Sequence, residues 1–156
     1  ARLRLMDEQG LEAAILLPSV AVCVEHPLRH DPELTSAVLR AFNRWLEDDW
    51  GYAHQDRIFG VPLIGLIDLE AACNELERVL RAGARMIHLQ TGPVGGRSPA
   101  DPFFDPFWSR VHEARIPVVY HIGDPGYNAL FGRAWGEDPN PAVRTQSAFQ
   151  WAFLHV

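Results

Sequence analysis

The stretch PVVYHI, residues 117–122, decides how this chain is read. A proline opens it, two valines and a tyrosine follow, and a histidine stands at its end just before Gly123 and Asp124. Such a short, nearly continuous apolar run is what a parallel strand shows when helices cover both of its faces. Three similar runs precede it: AAILLP at 13–18, IFGVPL at 58–63 and MIHLQ at 86–90. Pro62 is tolerated in the second run if it lies at the strand's end, where only one ladder donor is lost.

Helical patterns separate the runs. Residues 32–50 place Leu34, Val38, Ala41, Phe42 and Leu46 at three-and-four spacing, with Asp31 as cap and Pro32 at the first helical position. Residues 68–82 repeat the design, with Asp68 as cap, an apolar stripe of Leu69, Ala72, Cys73, Leu76, Val79 and Leu80, and Gly83 as stop. Residues 105–114 predict a third helix, capped by Asp105, with Phe107, Trp108 and Val111 inward. The alternation predicts an α/β fold with parallel strands.

Strand starts fall roughly 30 residues apart over the last three strands, the spacing expected when roughly 250 residues are divided among eight units of a (β/α)8 barrel. A doubly wound open sheet shares the alternation, but no GxGxxG opens a helix after any of the runs, and Gly92 to Gly96 lack phosphate-cradle spacing. The expectation is a partial (β/α)8 TIM barrel of about four parallel strands. The chain starts at Ala1, within a helical pattern, and stops without a terminating signal, so residues 1–156 read as one incomplete barrel domain.

Composition narrows the function classes. With 47% hydrophobic and 22% charged residues, 156 residues supply one ordinary core. The net charge of −6, with both signs interspersed, offers no basic stripe for phosphates, so nucleic acid is not an expected partner. No apolar run approaches membrane-helix length, and the expectation is a cytoplasmic protein with no membrane partner. Cys23 and Cys73 fit no metal or disulfide pattern and read as buried or half-buried thiols.

In a barrel the loops after the strands' C-terminal ends build the active site. His121 stands at such an end, and neutral imidazole is a good ligand for zinc or manganese. Taken bare, one strand histidine also reads as a satisfied core residue. Asp124 follows as a carboxylate that orients an imidazole, meets substrate or simply forms the turn. His88 reads as a hydrogen-bonded interior residue or a substrate contact. Tyr127 and Arg133 lie in a long loop where an arginine can meet a substrate carboxylate, or where both merely belong to a packed surface loop. His26 and His30 follow the first run, but Pro27 argues against a regular helix across them, and they read as a solvated loop.

Several segments resemble the amidohydrolase-related (amidohydrolase 2) family, the metal-dependent barrel group that includes aminocarboxymuconate semialdehyde decarboxylase and the hydroxybenzoate decarboxylases. RLMDEQGLEAAILLP (4–18) is similar to the segment entering an early strand, and AFNRWL (41–46) with DRIFGVPL (56–63) to the family's Asn-x-Trp helix and Arg-Phe strand. GARM (83–86) leads into the next strand, and DPFW (105–108) through PVVYH (117–121) is similar to the helix and histidine strand that follow. The resemblance covers residues 4–127. It implies that His121 is a metal ligand and that the metal is divalent, zinc first and manganese second.

The family's His-x-His on the first strand, its later histidine and its late aspartate have no counterpart here, and His155 sits in a helical pattern rather than at a strand's end. A catalytic zinc normally takes three protein ligands. The expectation is therefore a segment that lacks the His-x-His strand and the C-terminal strands, and that alone binds metal weakly and turns nothing over. For the parent protein the resemblance implies a nonoxidative decarboxylase of a small carboxylic acid. A metal-dependent hydrolase of the same superfamily is the alternative, and a non-catalytic partial barrel or small-molecule binding module a third reading. The expected partners are a small-molecule carboxylate and, through exposed strand edges, a second copy of the chain.

Overall fold

A computed structural model describes residues 1–19 and 21–121. Asp124, Tyr127, Arg133 and His155 lie outside them. The described residues form a mixed α/β unit whose strand pairs are all parallel, the wall of a partial TIM barrel. Helix α1 is Arg2–Glu8, followed by strand β1 (Ala14–Leu16), helix α2 (Glu25–Leu28) and helix α3 (Pro32–Asp49). Strands β2 (Ile58–Gly60) and β3 (Leu63–Ile64) lead to helix α4 (Leu69–Arg81), strand β4 (Ile87–Leu89), helix α5 (Asp105–Ala114) and strand β5 (Val118–Val119).

The expected strand at 58–63 is two strands. Its first half pairs with β1, Ile58 opposite Ala14, and its second half with β4, Leu63 opposite His88. The break falls at Val61 and Pro62. Val61 still donates to Leu16 O, whereas Pro62, which has no donor, accepts from His88 N at 2.8 Å. The proline therefore sits where the chain hands its pairing from one neighbour to the other.

Asn43 compensates for that hand-over. Its side-chain amide donates to Leu63 O and its carbonyl accepts from Leu63 N, both at 2.8 Å, so it takes the place of a strand neighbour for β3. The amide also donates to Glu75 Oε1, and Tyr52 Oη donates to Asn43 O. Arg78 and Arg40 hold the Glu75 carboxylate from two sides. Burial pushes the Tyr52 hydroxyl up to about 12, against the pull of Arg78, so Tyr52 stays a donor at any ordinary pH.

This clamp rotates α3 relative to the apolar stripe read from sequence. The buried positions are Thr35, Leu39, Asn43 and Leu46, while Leu34 and Ala41 face solvent. The helix start agrees with expectation: Asp31 accepts from Leu34 N, and Thr35 Oγ1 donates to Leu28 O and Asp31 O. Asp68 likewise caps α4 through Ala71 N, and Gly83 ends that helix at φ +92°. Asp105 is not a cap. A 3-10 turn capped by Asp101 runs straight into α5 and makes Asp105 its first residue, where a carboxylate still favours the helix dipole. Cys73 is buried as expected, but Cys23 is exposed, because the short turn that carries it spends Ala21 and Val22 on the core and leaves its last residue outside.

The main core packs Ile64, Ile87 and Leu89 of the sheet against Leu76 and Val79 of α4 and Phe107 and Val111 of α5. Leu63 turns the other way, to a smaller cluster with Ala21, Val22 and Leu39. His88 shares register with Leu63 and lies between two residues committed to the helices, so alternation turns it away from α4 and α5. Asn43→Leu leaves Leu63 N–H and Leu63 C=O without their partner and removes one hydrogen bond from Glu75, which keeps Arg78 and Arg40. A loss of about 3 kcal/mol in urea unfolding is expected, and a loss under about 0.5 kcal/mol would show that the clamp contributes nothing.

Candidate functional site

Two groups of polar residues stand out: one joins strand β4 to the residue two positions past β5, and the other lies beyond the ends of β1 and β4. The first is the pair His88 and His121. Register places His88 opposite Val119, and His121 follows Val119 by two residues along the same chain direction. His88 is 1% exposed, and neither ring nitrogen has a partner at hydrogen-bond geometry. Burial pushes its pKa down to about 4; the charge of the adjacent His121 adds to this and the His121 main chain pulls the other way. His121 is half-buried. The strand register thus brings together the two histidines that the sequence singled out.

The second group lines a cavity of about 300 Å3 between α2 and the loop after β4. Glu25, His26, Arg29 and His30 form one wall, and Gln90 and residues 93–96 the other. His26 and His30 are therefore not simply a solvated loop. Pro27 falls within the first turn of α2, where its missing N–H is not needed, so a four-residue helix forms across it. Arg29 donates to His26 O and closes that turn.

Glu25 escaped sequence reading. It is 7% exposed, its Oε2 has no hydrogen-bond partner, and among the described residues it makes no salt bridge. Burial raises its pKa to about 7. Gly65, just after β3, makes room for it: a Cβ there would stand 2.7 Å from Glu25 Oε1 and 2.7 Å from Leu39 Cδ1. The only sequence signal was position, a carboxylate in the loop after the first strand and therefore on the active face of a barrel.

No group of three metal-binding side chains occurs among the described residues. The donor chemistry at His121 and His88 nonetheless suits a divalent transition metal, since a buried imidazole with both nitrogens unpartnered is an unmet hydrogen-bonding demand. Two imidazoles fall short of the three ligands a catalytic zinc takes.

The raised Glu25 pKa has a thermodynamic consequence. Between the unfolded value of 4.5 and the folded value of about 7 the folded chain binds the extra proton, so stability is greatest below 4.5 and falls as pH rises through 7. The loss by pH 8 is about 3 kcal/mol. Glu25→Gln should remove it, leaving the variant level with the parent at pH 4 and more stable at pH 8 in urea unfolding. An unchanging gap between the two proteins across that range contradicts the burial of an unpaired carboxyl. Gly65→Ala should cost about 1–3 kcal/mol by thermal unfolding, because the methyl group collides with Glu25 and Leu39; an unchanged melting temperature refutes the contact.

No curated protein matches the chain. Among solved structures, an amidohydrolase from Mycobacterium avium subsp. paratuberculosis K-10 is 41% identical with a TM-score of 0.82, over 87% of this chain and 37% of its own. A 5-carboxyvanillate decarboxylase from Novosphingobium aromaticivorans, solved with manganese and 3-methoxy-4-hydroxy-5-nitrobenzoic acid, is 25% identical with a TM-score of 0.59, over 77% of this chain and 33% of its own. The chain thus spans about a third of the length of these structures. The sequence profile described as Amidohydrolase matches residues 1–150, and with the barrel wall and its rim this establishes that the chain belongs to the amidohydrolase family.

Proposed function

We propose that this chain forms part of the active-site wall of a metal-dependent carboxy-lyase acting on a small carboxylic acid. The observation that carries the reading is the nearness of His121, two residues past β5, to His88 on β4, whose ring nitrogens lack a partner at hydrogen-bond geometry. A decarboxylase that binds manganese stands among the similar structures. His121 is the residue that would hold the metal, with further ligands from the rest of a complete barrel. A divalent cation bound there supplies Lewis-acid stabilisation of negative charge.

The chain's own residues do the rest. His88, buried beside His121, keeps solvent from that side. Asp124, three residues after His121 in the sequence, would orient its imidazole or meet the substrate. Tyr127 and Arg133 bind the substrate, the guanidinium taking a carboxylate oxygen pair.

Hydrolysis is the second reading, favoured by the 41% identical relative, which is described as an amidohydrolase. One assay separates the two. With the barrel completed to the length of its relatives and loaded with zinc or manganese, carbon dioxide release from a panel of aromatic and heterocyclic carboxylic acids is expected. His121→Ala should lower turnover by more than about 1000-fold, as the loss of a metal ligand does when chemistry depends on the metal. Amide or ester cleavage without carbon dioxide release would replace decarboxylation by hydrolysis. Full turnover in His121→Ala would remove His121 from the site.

A further inference from the structure

We propose that Glu25 is a substrate-contacting residue and that the cavity between α2 and the loop after β4 takes the neutral hydrogen-bond-donating end of a small molecule, a hydroxyl group. The inference rests on reading the strands' C-terminal rim as the active face, and it adds a second arm to the site at His121.

Burying a carboxyl without a partner works against folding, and the chain gives up a side chain at Gly65 to permit it. A structural carboxylate would be expected to hold a cation or a helix N-terminus. Glu25 holds neither an arginine nor a lysine among the described residues, and Arg29, four residues away, spends its guanidinium on His26 O. The unmet demand of Oε2 is thus a feature the fold tolerates rather than uses. Groups left unsatisfied in this way collect at binding sites, because the ligand supplies the missing partner.

The cavity's other walls say which partner. Arg29 lines it, and its guanidinium disfavours an ammonium group. Ile67, Pro93 and Val94 give it apolar surface for the ligand's body, and Gln90 offers a second hydrogen bond. A hydroxyl on a compact apolar frame satisfies all of these. It donates to the Glu25 carboxylate, or exchanges donor and acceptor roles with the protonated acid.

The test uses this chain, without metal, and three probes of similar size: phenol, anisole, which lacks the donor, and benzylamine, which is cationic. Affinities are measured by ligand-observed NMR titration on the parent, Glu25→Gln and Glu25→Leu. Phenol should bind the parent at least about tenfold more tightly than anisole or benzylamine. Glu25→Leu should abolish the phenol preference and leave anisole unchanged, while Glu25→Gln, which can still accept from a hydroxyl, should retain part of it. Equal binding of phenol and anisole, a parallel loss of both in Glu25→Leu, a preference for benzylamine, or no binding of any probe overturns the proposal. The titration needs neither metal nor turnover. A failed carbon dioxide assay therefore leaves its result standing, and a failed titration leaves the decarboxylation reading to its own assay.

Discussion

The double hydrogen bond between the Asn43 side chain and the backbone of Leu63 is the constraint on which the rest of this structure depends. A parallel strand in a barrel needs a partner on each side, and β3 has only β4. Without Asn43, two buried backbone groups of Leu63 would face an apolar interior, each costing roughly 1–3 kcal/mol. An amide is the one side chain that presents a donor and an acceptor at the spacing of a peptide group. Its burial is in turn supported by Glu75, Arg78 and Tyr52, so a single polar network ties α3 and α4 to the strand between them.

From that tie the geometry of the rim follows. With Leu63 fixed, Ile64 faces the core under α4, and Gly65 falls against Glu25. Register carries the same alignment across to His88 on β4 and Val119 on β5, and so to His121. The helices contribute apolar burial on the outer face, where Phe107 and Leu76 are fully enclosed. Among the described residues the buried side chains with unmet hydrogen-bonding groups are a histidine on β4 and a glutamate in the segment after β1. A fold that satisfies its polar groups elsewhere and leaves these two open concentrates its unmet demand on two side chains.

Much of this was legible in the sequence, and the exceptions have physical causes. Caps such as Asp31 and Asp68 act through bonds three residues away, so local pattern finds them. The four apolar runs and three long helices follow from burial on both faces of a parallel sheet. Pro62 misled because a proline at a strand's end and a proline at a hand-over between two neighbours look alike until pairing is known. The stripe of α3 was read from apolar residues, but Asn43 belongs to the buried face for hydrogen bonding, which hydrophobic periodicity does not register. Glu25 was missed for a related reason: nothing local marks a carboxylate as buried, and the glycine that accommodates it is 40 positions away. The expectation for His121 came mainly from resemblance to the family, its strand-end position alone being compatible with an ordinary core histidine.

The two open groups respond to burial in opposite senses, and that gives the rim its electrical character. Desolvation disfavours whichever form carries charge, so it lowers the imidazole of His88 to about 4 and raises the carboxyl of Glu25 to about 7. Between those values both are neutral. Each can then donate and accept a hydrogen bond, and neither imposes a fixed charge on what lies beside it. In a low-dielectric setting a fixed charge would dominate every other interaction. A neutral Glu25 leaves the guanidinium of Arg29 as the fixed charge among the side chains lining the cavity. Above about pH 7 Glu25 ionises and that balance is lost, because a carboxylate buried without a partner then works against the fold that encloses it.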